Sequence, residues 1–283
     1  MSRPEPFRVH VVVGGFPPGA PAAHDMDHAR LRILGLLAER PEVLATVSSD
    51  FADLERWLPG SQLLVSYVAG PYLDEAHNAL TRDWIRDGGH WLALHGTSGG
   101  RATPVGGDRR IRQMQRSAHH DTLGCLFLNH PPIRRFRVDV ADPDHPLARG
   151  LPASFEVDDE LYLVELLDPT HTRLLLTTDL EKDPSPEGFG FFYPDDTSVL
   201  ADGRTRALAY TRALGRGAVT YVALGHCHSP TTNVQPFVDA SVSASGTTPL
   251  SFRGSWEAQP FEQLLRNAIA WRVSKHPQPP DRG

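Results

Sequence analysis

The sequence predicts an α/β fold in which helices cover a mostly parallel β-sheet. In the N-terminal third of the chain, short apolar runs of strand length alternate with amphipathic segments of helical period. Glycine-rich or polar turns follow most of these runs, as expected where a strand ends. The 283 residues and the ordinary globular composition suffice for one such domain.

The N-terminal third divides into four predicted strands separated by helices. Asp25 and Asp27 precede the first predicted helix, ARLRILGLLAER, and an Asp at this start suits an N-cap. The predicted strands are 7–13, 43–48, 63–68 and 91–94, and the predicted helices follow Asp25 and cover 51–57 and 73–87.

The rest of the chain alternates less regularly. We expect a single domain over residues 5–275 and a disordered tail over 276–283. The basic stretch from Arg101 to Arg116 is interpreted as a solvated loop or helix face. The remaining predictions are strands at 133–140, 173–178, 207–211 and 218–224, the last two forming a hairpin, a loop leading into a strand at 155–166, loops at 180–203 and 229–255, and a helix at 261–274.

Histidines follow several of the predicted strands. In parallel sheets, ligands bind where the strands end, so residues after different strands are expected at one edge. His95 follows the strand WLAL within HWLALHGTSGG, and His24 follows the first strand and its Gly14–Gly15 turn. His130, His226 and His228 also lie at predicted strand ends or turns. The sequence therefore predicts a histidine-rich site at this edge.

Two kinds of chemistry fit such a site, and a structural role remains the alternative for each histidine. Neutral imidazole binds metals, and near neutral pH it exchanges protons. In HCH, His226 and His228 point the same way if the chain is extended, with Cys227 turned away. Candidate ligands of a divalent metal are therefore His95, His226 and His228, although no established zinc motif is present.

Other classes of protein are disfavoured. The net charge of −6 argues against nucleic-acid binding, and no apolar run is long enough to span a membrane. Two cysteines and the lack of a signal peptide predict a cytoplasmic protein without a disulfide framework. No GxSxG element indicates a serine hydrolase. The oligomeric state stays open between a monomer and a homo-oligomer.

The chain resembles the ThuA-like (trehalose utilisation) family. The matching stretches are HDMDHARLRILGLLAE, GGHWLALHGT, DPDHPLARGLPASFEVDDELY, AYTRALGRGAVTYVALGH and LLRNAIAWRV, in the expected order. The resemblance implies a flavodoxin-like, class I glutamine amidotransferase-like three-layer sandwich without the nucleophilic cysteine, so not a glutamine amidotransferase. The sequence departs from the family pattern in the loop after His95, at Cys227 and in the insertion 229–255.

The resemblance also implies a role in the catabolism of trehalose-type disaccharides or their 3-keto derivatives, so the expected partner is a small sugar. As a hydrolase, lyase or isomerase, the protein would use His95 as acid–base or as metal ligand. Asp159 or Glu160 would orient it, and His24 and His226 would complete the site. The alternative is a non-catalytic sugar-binding or regulatory protein. In either case the expected substrate contacts are Gly15, Asp25, Gly96, Thr97, His130 and Tyr162.

Overall fold

A nine-stranded β-sheet organises the part of the chain that the computed structural model describes, residues 5–17, 20, 23–232, 243–247 and 249–275. The strands are β1 (Phe7–Gly15), β2 (Val43–Ser48), β3 (Leu63–Ala69), β4 (His90–Leu94), β5 (Ala102–Val105), β6 (Asp108–Met114), β7 (Cys125–Asn129), β8 (Arg134–Val140), β9 (Ser154–Asp159), β10 (Leu163–Leu166), β11 (Thr172–Asp179), β12 (Thr205–Leu214) and β13 (Gly217–Val222). The α-helices are α1 (Met26–Ala38), α2 (Leu54–Trp57), α3 (Glu75–Arg86), α4 (Ala118–Leu123) and α5 (Gln259–Lys275).

The large sheet has a parallel half and an antiparallel half. Its strand order is β2-β1-β3-β4-β13-β12-β11-β8-β9. The pairs from β2 to β13 are parallel, and those from β13 to β9 are antiparallel. Because β9 lies four antiparallel steps from β13, the two strands run in the same direction. β1, β3, β4, β13 and β9 therefore end at one edge of the sheet, which we call the carboxyl edge.

Helices cover both faces of this sheet, which confirms the predicted three-layer α/β arrangement. Apolar residues of α1 and α5 pack with one face, and those of α2, α3 and α4 pack with the other. The double burial explains why β1 and β3 are almost continuously apolar, as is typical of central parallel strands. An Asp does cap α1, and it is Asp25 of the two candidates, since its carboxylate accepts a hydrogen bond from the His28 N–H at 3.1 Å.

Three stretches form more strand than the sequence predicted, and one of them is β7, where no element was predicted. The basic stretch after Arg101 is not a helix or simple loop but the β5–β6 hairpin. Gly106 and Gly107, both with positive φ, form its tight turn, which needs two such residues. The segment 155–166 contains two strands, because β9 pairs with β8 and β10 pairs with β7.

The other predictions differ from the structure mainly in element ends. The predicted hairpin before His226 is confirmed as the antiparallel pair β12–β13. No helix among the described residues is both long and apolar enough to cross a membrane. Cys125 and Cys227 are both free and buried. The predicted tail at 276–283 lies outside the described residues, as does part of the 229–255 loop.

Candidate active site

Four buried side chains meet at the carboxyl edge of the sheet. His24 precedes α1, His95 follows β4, Glu160 follows β9 and His226 comes shortly after β13. Each exposes 7% or less of its surface. One ligand atom from each residue lies within 4.8 Å of those of the others, and these four residues form what we call the histidine–glutamate cluster.

His95 lies at the sharp turn between β4 and the short 3-10 helix His95–Ser98. Its φ of 44° is in the left-handed region, which costs a non-glycine residue about 1–2 kcal/mol. Its Nδ1 lies 2.8 Å from the Ala223 carbonyl oxygen. Because a carbonyl only accepts hydrogen bonds, Nδ1 carries the hydrogen. Nε2 then faces Glu160, 3.5 Å from Oε2.

Glu160 lies between three imidazoles. Its Oε2 is 3.0 Å from His226 Nδ1, and its Oε1 is 3.9 Å from His130 Nε2. Burial alone would raise the pKa of Glu160. The surrounding imidazoles of His130, His226 and His95 outweigh burial and hold this pKa well below its usual range. The Glu160 side chain is therefore a carboxylate, which is the form that binds metals.

Asp159, the neighbouring acidic residue, contacts backbone instead of imidazoles. Its carboxylate accepts hydrogen bonds from the N–H groups of Gly225 and His226 at 2.9 and 3.0 Å. It also accepts from the Glu160 N–H and from the backbone and hydroxyl of Ser255. These bonds connect the segment that carries Glu160 with the segment that carries His226.

Of the expected substrate contacts, His130 and Tyr162 reach the cluster. The Tyr162 ring lies 4.1 Å from the His95 ring between centroids and stacks on His130 at 5.6 Å. Burial and the Glu160 charge raise the pKa of Tyr162 well above its ordinary value, so its phenol stays protonated. Both rings lie beside the histidine–glutamate cluster.

The other expected contacts support the site from further away. Asp25 caps α1 and forms an ion pair with Arg253 at 2.7 Å. Gly15 ends β1, and the Thr97 hydroxyl donates to the Ser66 carbonyl. A side chain at Gly96 would place its Cβ 2.7 Å from the Val68 carbonyl oxygen, so only glycine fits without a shift there.

His228 and Cys227 do not belong to the cluster. The His228 ring lies behind His226, with Nδ1 3.0 Å from His226 Nε2. The Cys227 thiol donates to the Asp25 carbonyl, and burial raises its pKa to about 12. The thiol is therefore protonated near neutral pH and a poor nucleophile.

Sequence reasoning missed Tyr67 and Ser255. The Tyr67 hydroxyl donates to the Gly225 carbonyl at 2.9 Å, and its ring packs on His95. The position of Tyr67 near the end of a predicted strand could have indicated it. No local pattern indicates Ser255, because it reaches Asp159 from a segment 96 residues away.

The cluster has the donor set of a transition-metal site. Three imidazole nitrogens and one carboxylate oxygen suit zinc, manganese, iron or cobalt better than magnesium or calcium, which prefer oxygen ligands throughout. A His95 nitrogen oriented through a second hydrogen bond to a carbonyl is typical of metal-ligating histidines. The residues present therefore fit a divalent ion.

Comparisons with known proteins agree with this fold. A putative ThuA-like protein from Bacteroides uniformis is 16% identical with a TM-score of 0.63, and the alignment covers 97% of this chain and 94% of that one. One from Parabacteroides merdae is 15% identical with a TM-score of 0.57 and coverages of 95% and 90%. At these identities the likeness concerns the fold alone.

The same fold also occurs inside a larger protein. The alignment with a β-galactosidase from Rahnella sp. R3 covers 98% of this chain but 32% of that one, at 13% identity and a TM-score of 0.56. A comparison with curated proteins found no match. The model of the ThuA family, described as trehalose utilisation, matches residues 19–244. Since that match spans most of the sequence, the chain belongs to the ThuA family.

Proposed function

We propose that this chain is a metal-dependent enzyme of disaccharide catabolism that acts on trehalose-type disaccharides or their 3-keto derivatives. The observation that carries the proposal is the histidine–glutamate cluster, with four ligand atoms within 4.8 Å of one another. Four buried titratable groups at one sheet edge are more than sugar binding alone requires. The description of the family, trehalose utilisation, supports the substrate class.

The proposed division of roles follows from the contacts. His24, His95, Glu160 and His226 would hold the ion. A divalent ion would polarise the carbonyl of a 3-keto sugar and so acidify the hydrogen on the neighbouring carbon. His130 Nε2, which carries no hydrogen, would take that proton and return it to carbon in an isomerisation, or to the departing glycosidic oxygen in an elimination, without the paired carboxylates of ordinary glycosidases.

The groups beside the cluster would orient the sugar. His130 Nδ1 lies 2.9 Å from the Pro131 carbonyl and therefore carries a hydrogen. Its Nε2 is on the side of the cluster, near Glu160 Oε1, where a sugar hydroxyl can bond to it. The Tyr162 ring, stacked on His130, would limit the orientations that a bound sugar can adopt.

Metal analysis and turnover test this proposal together. The protein is purified without chelator, its metal content is measured by elemental mass spectrometry, and it is incubated with trehalose and 3-keto-trehalose. We expect about one ion per chain and conversion of a sugar. His95→Ala should lose both. His171→Ala is the matched control, because His171 is 72% exposed and pairs only with surface groups.

The alternatives give different results. Turnover that persists in metal-free protein but requires His95 would replace the metal with acid–base catalysis. Saturable sugar binding without any product would support the non-catalytic protein instead. Full turnover in the His95→Ala variant would overturn the assignment of the site.

A further inference from the structure

A hydrogen-bonded pair of buried histidines leads away from the cluster, from His226, a cluster member, to His228. His226 Nε2 lies 3.0 Å from His228 Nδ1, and His228 Nε2 lies 2.7 Å from the Pro249 carbonyl oxygen. His226 and His228 are 1% and 0% exposed. Three of the four ring nitrogens of His226 and His228 thus form hydrogen bonds directed away from the cluster. The fourth, His226 Nδ1, faces Glu160.

The carbonyl at the end of this pair decides where the hydrogens lie. A carbonyl oxygen only accepts, so His228 Nε2 carries a hydrogen. In a neutral imidazole the other nitrogen then accepts, so His228 Nδ1 receives a hydrogen from His226 Nε2. The same rule applied to a neutral His226 leaves on Nδ1 the lone pair that an ion bound between this atom and Glu160 would take.

His95 is fixed in the opposite sense. Its Nδ1 donates to the Ala223 carbonyl, and its Nε2 faces Glu160. The two histidines would therefore bind an ion through different nitrogens. The two rings differ in the hydrogen-bond partner on the side away from the cluster. This partner is a backbone carbonyl for His95 and a second imidazole for His226.

We infer that His228 is a positioning residue that makes Nδ1 the metal-binding atom of His226, and that His228 is not itself a ligand. The inference rests on the metal site of the proposed function. It deepens that function, because it assigns the ligating nitrogen of two histidines and gives a role to a third.

The surroundings of His228 hold it in this orientation. Its backbone pairs with Phe252 through hydrogen bonds of 2.9 and 3.0 Å, and its ring stacks on the Phe252 ring. Its carbonyl oxygen accepts from Arg253, which also pairs with Asp25 beside His24.

Metal affinity in two variants tests the inference. His228→Phe keeps the ring but removes the acceptor, whereas His228→Asn retains an acceptor oxygen near the position of Nδ1. The affinity of each purified protein for Co²⁺ is measured in competition with a chromogenic chelator, together with the visible absorption of the bound ion. We expect about a 10–100-fold loss of affinity and an altered spectrum for His228→Phe, with most of the affinity restored in His228→Asn.

A measurement on the unaltered protein tests the assignment even if a variant fails to fold. Long-range ¹H–¹⁵N spectra of histidine-labelled, zinc-loaded protein distinguish Nδ1 from Nε2 ligation. We expect Nδ1 for His226 and Nε2 for His95. Nε2 ligation by His226, or wild-type Co²⁺ affinity in His228→Phe, would overturn the inference and leave the proposed function standing. Failure of the unaltered protein to bind any ion would instead overturn the metal-dependent function itself.

Discussion

Asp159 and Glu160 are adjacent in the chain but contact different groups. Glu160 faces imidazoles, whereas Asp159 accepts hydrogen bonds from the backbone of two other segments. An alternating strand end explains this division, because consecutive side chains point to opposite sides. One acidic pair thus provides both a ligand and the group that holds a neighbouring ligand segment in place.

Removing the Asp159 carboxylate should destabilise the fold and weaken the site together. In Asp159→Ala, the buried N–H groups of Gly225 and His226 lose their acceptor, and each such loss costs about 1–3 kcal/mol. We expect the free energy of unfolding in urea to fall by about 3 kcal/mol or more, with lower metal affinity. Asp158→Ala, at the exposed neighbour, should change stability by about 0.5 kcal/mol or less. Equal stability of both variants would contradict this role.

His119 gives the fold a predictable dependence on pH. Burial, with the charge of His120, lowers the pKa of His119 from 6.5 to about 3. Between these two pKa values the unfolded chain binds a proton that the folded protein does not. The contribution of His119 to the free energy of unfolding is therefore fully present above pH 6.5 and is lost as the pH falls towards 3. The contribution of His119 approaches about 1.4 kcal/mol per pH unit.

Urea unfolding in steps of one unit from about pH 7 to about pH 5 measures this slope. His119→Gln removes the titrating group but can still donate to the Thr97 carbonyl. The variant should show a flatter dependence than the unaltered protein. Identical slopes would show that His119 does not titrate between the two states.

The sequence predicted those strands and turns whose own residues show a clear apolar or glycine pattern. The strands β1 to β4 have apolar residues on both faces, and the β12–β13 hairpin has a short glycine-containing turn, so both could be predicted. β9, with the sequence SFEVDD, could not, because its acidic residues disfavour a strand in isolation. Only its pairing with β8 and the backbone donors around Asp159 make it one.

The same distinction applies to the site. Parallel strand ends predicted that His24, His95 and His226 lie near the carboxyl edge. Whether DDELY reaches the same edge depends on the direction of β9, and that direction follows from antiparallel pairings across the sheet. The role of His228 depends on Pro249 in the long loop, which has no periodic signal.

The turn that carries His95 should not tolerate a side chain at the next position. The Cβ of Gly96→Ala would lie 2.7 Å from the Val68 carbonyl oxygen, so β3 or the turn must shift. We expect a loss of about 1–3 kcal/mol in stability, and weaker metal binding because His95 moves with the turn. Gly60→Ala is the control, since nothing lies within 4 Å of its Cβ. Unchanged Co²⁺ affinity in Gly96→Ala would show that the turn accommodates the methyl group without moving His95.

The histidine–glutamate cluster contains residues from both halves of the sheet. His24 and His95 come from the parallel half, and Glu160 comes from the end of the antiparallel half. The site therefore exists only when the two halves have paired through β12 and β13. An unfolded chain, with these residues far apart in sequence, has no comparable site.

Metal binding should consequently stabilise the entire fold. An ion that binds the folded chain alone raises the free energy of unfolding by about 2.7 kcal/mol at a concentration 100 times its dissociation constant. Urea unfolding with and without saturating Zn²⁺ measures this gain. His24→Ala should lose most of it, because one of four ligands is missing, whereas His171→Ala should retain it. An equal gain in the His24→Ala variant would place the stabilising ion outside the cluster.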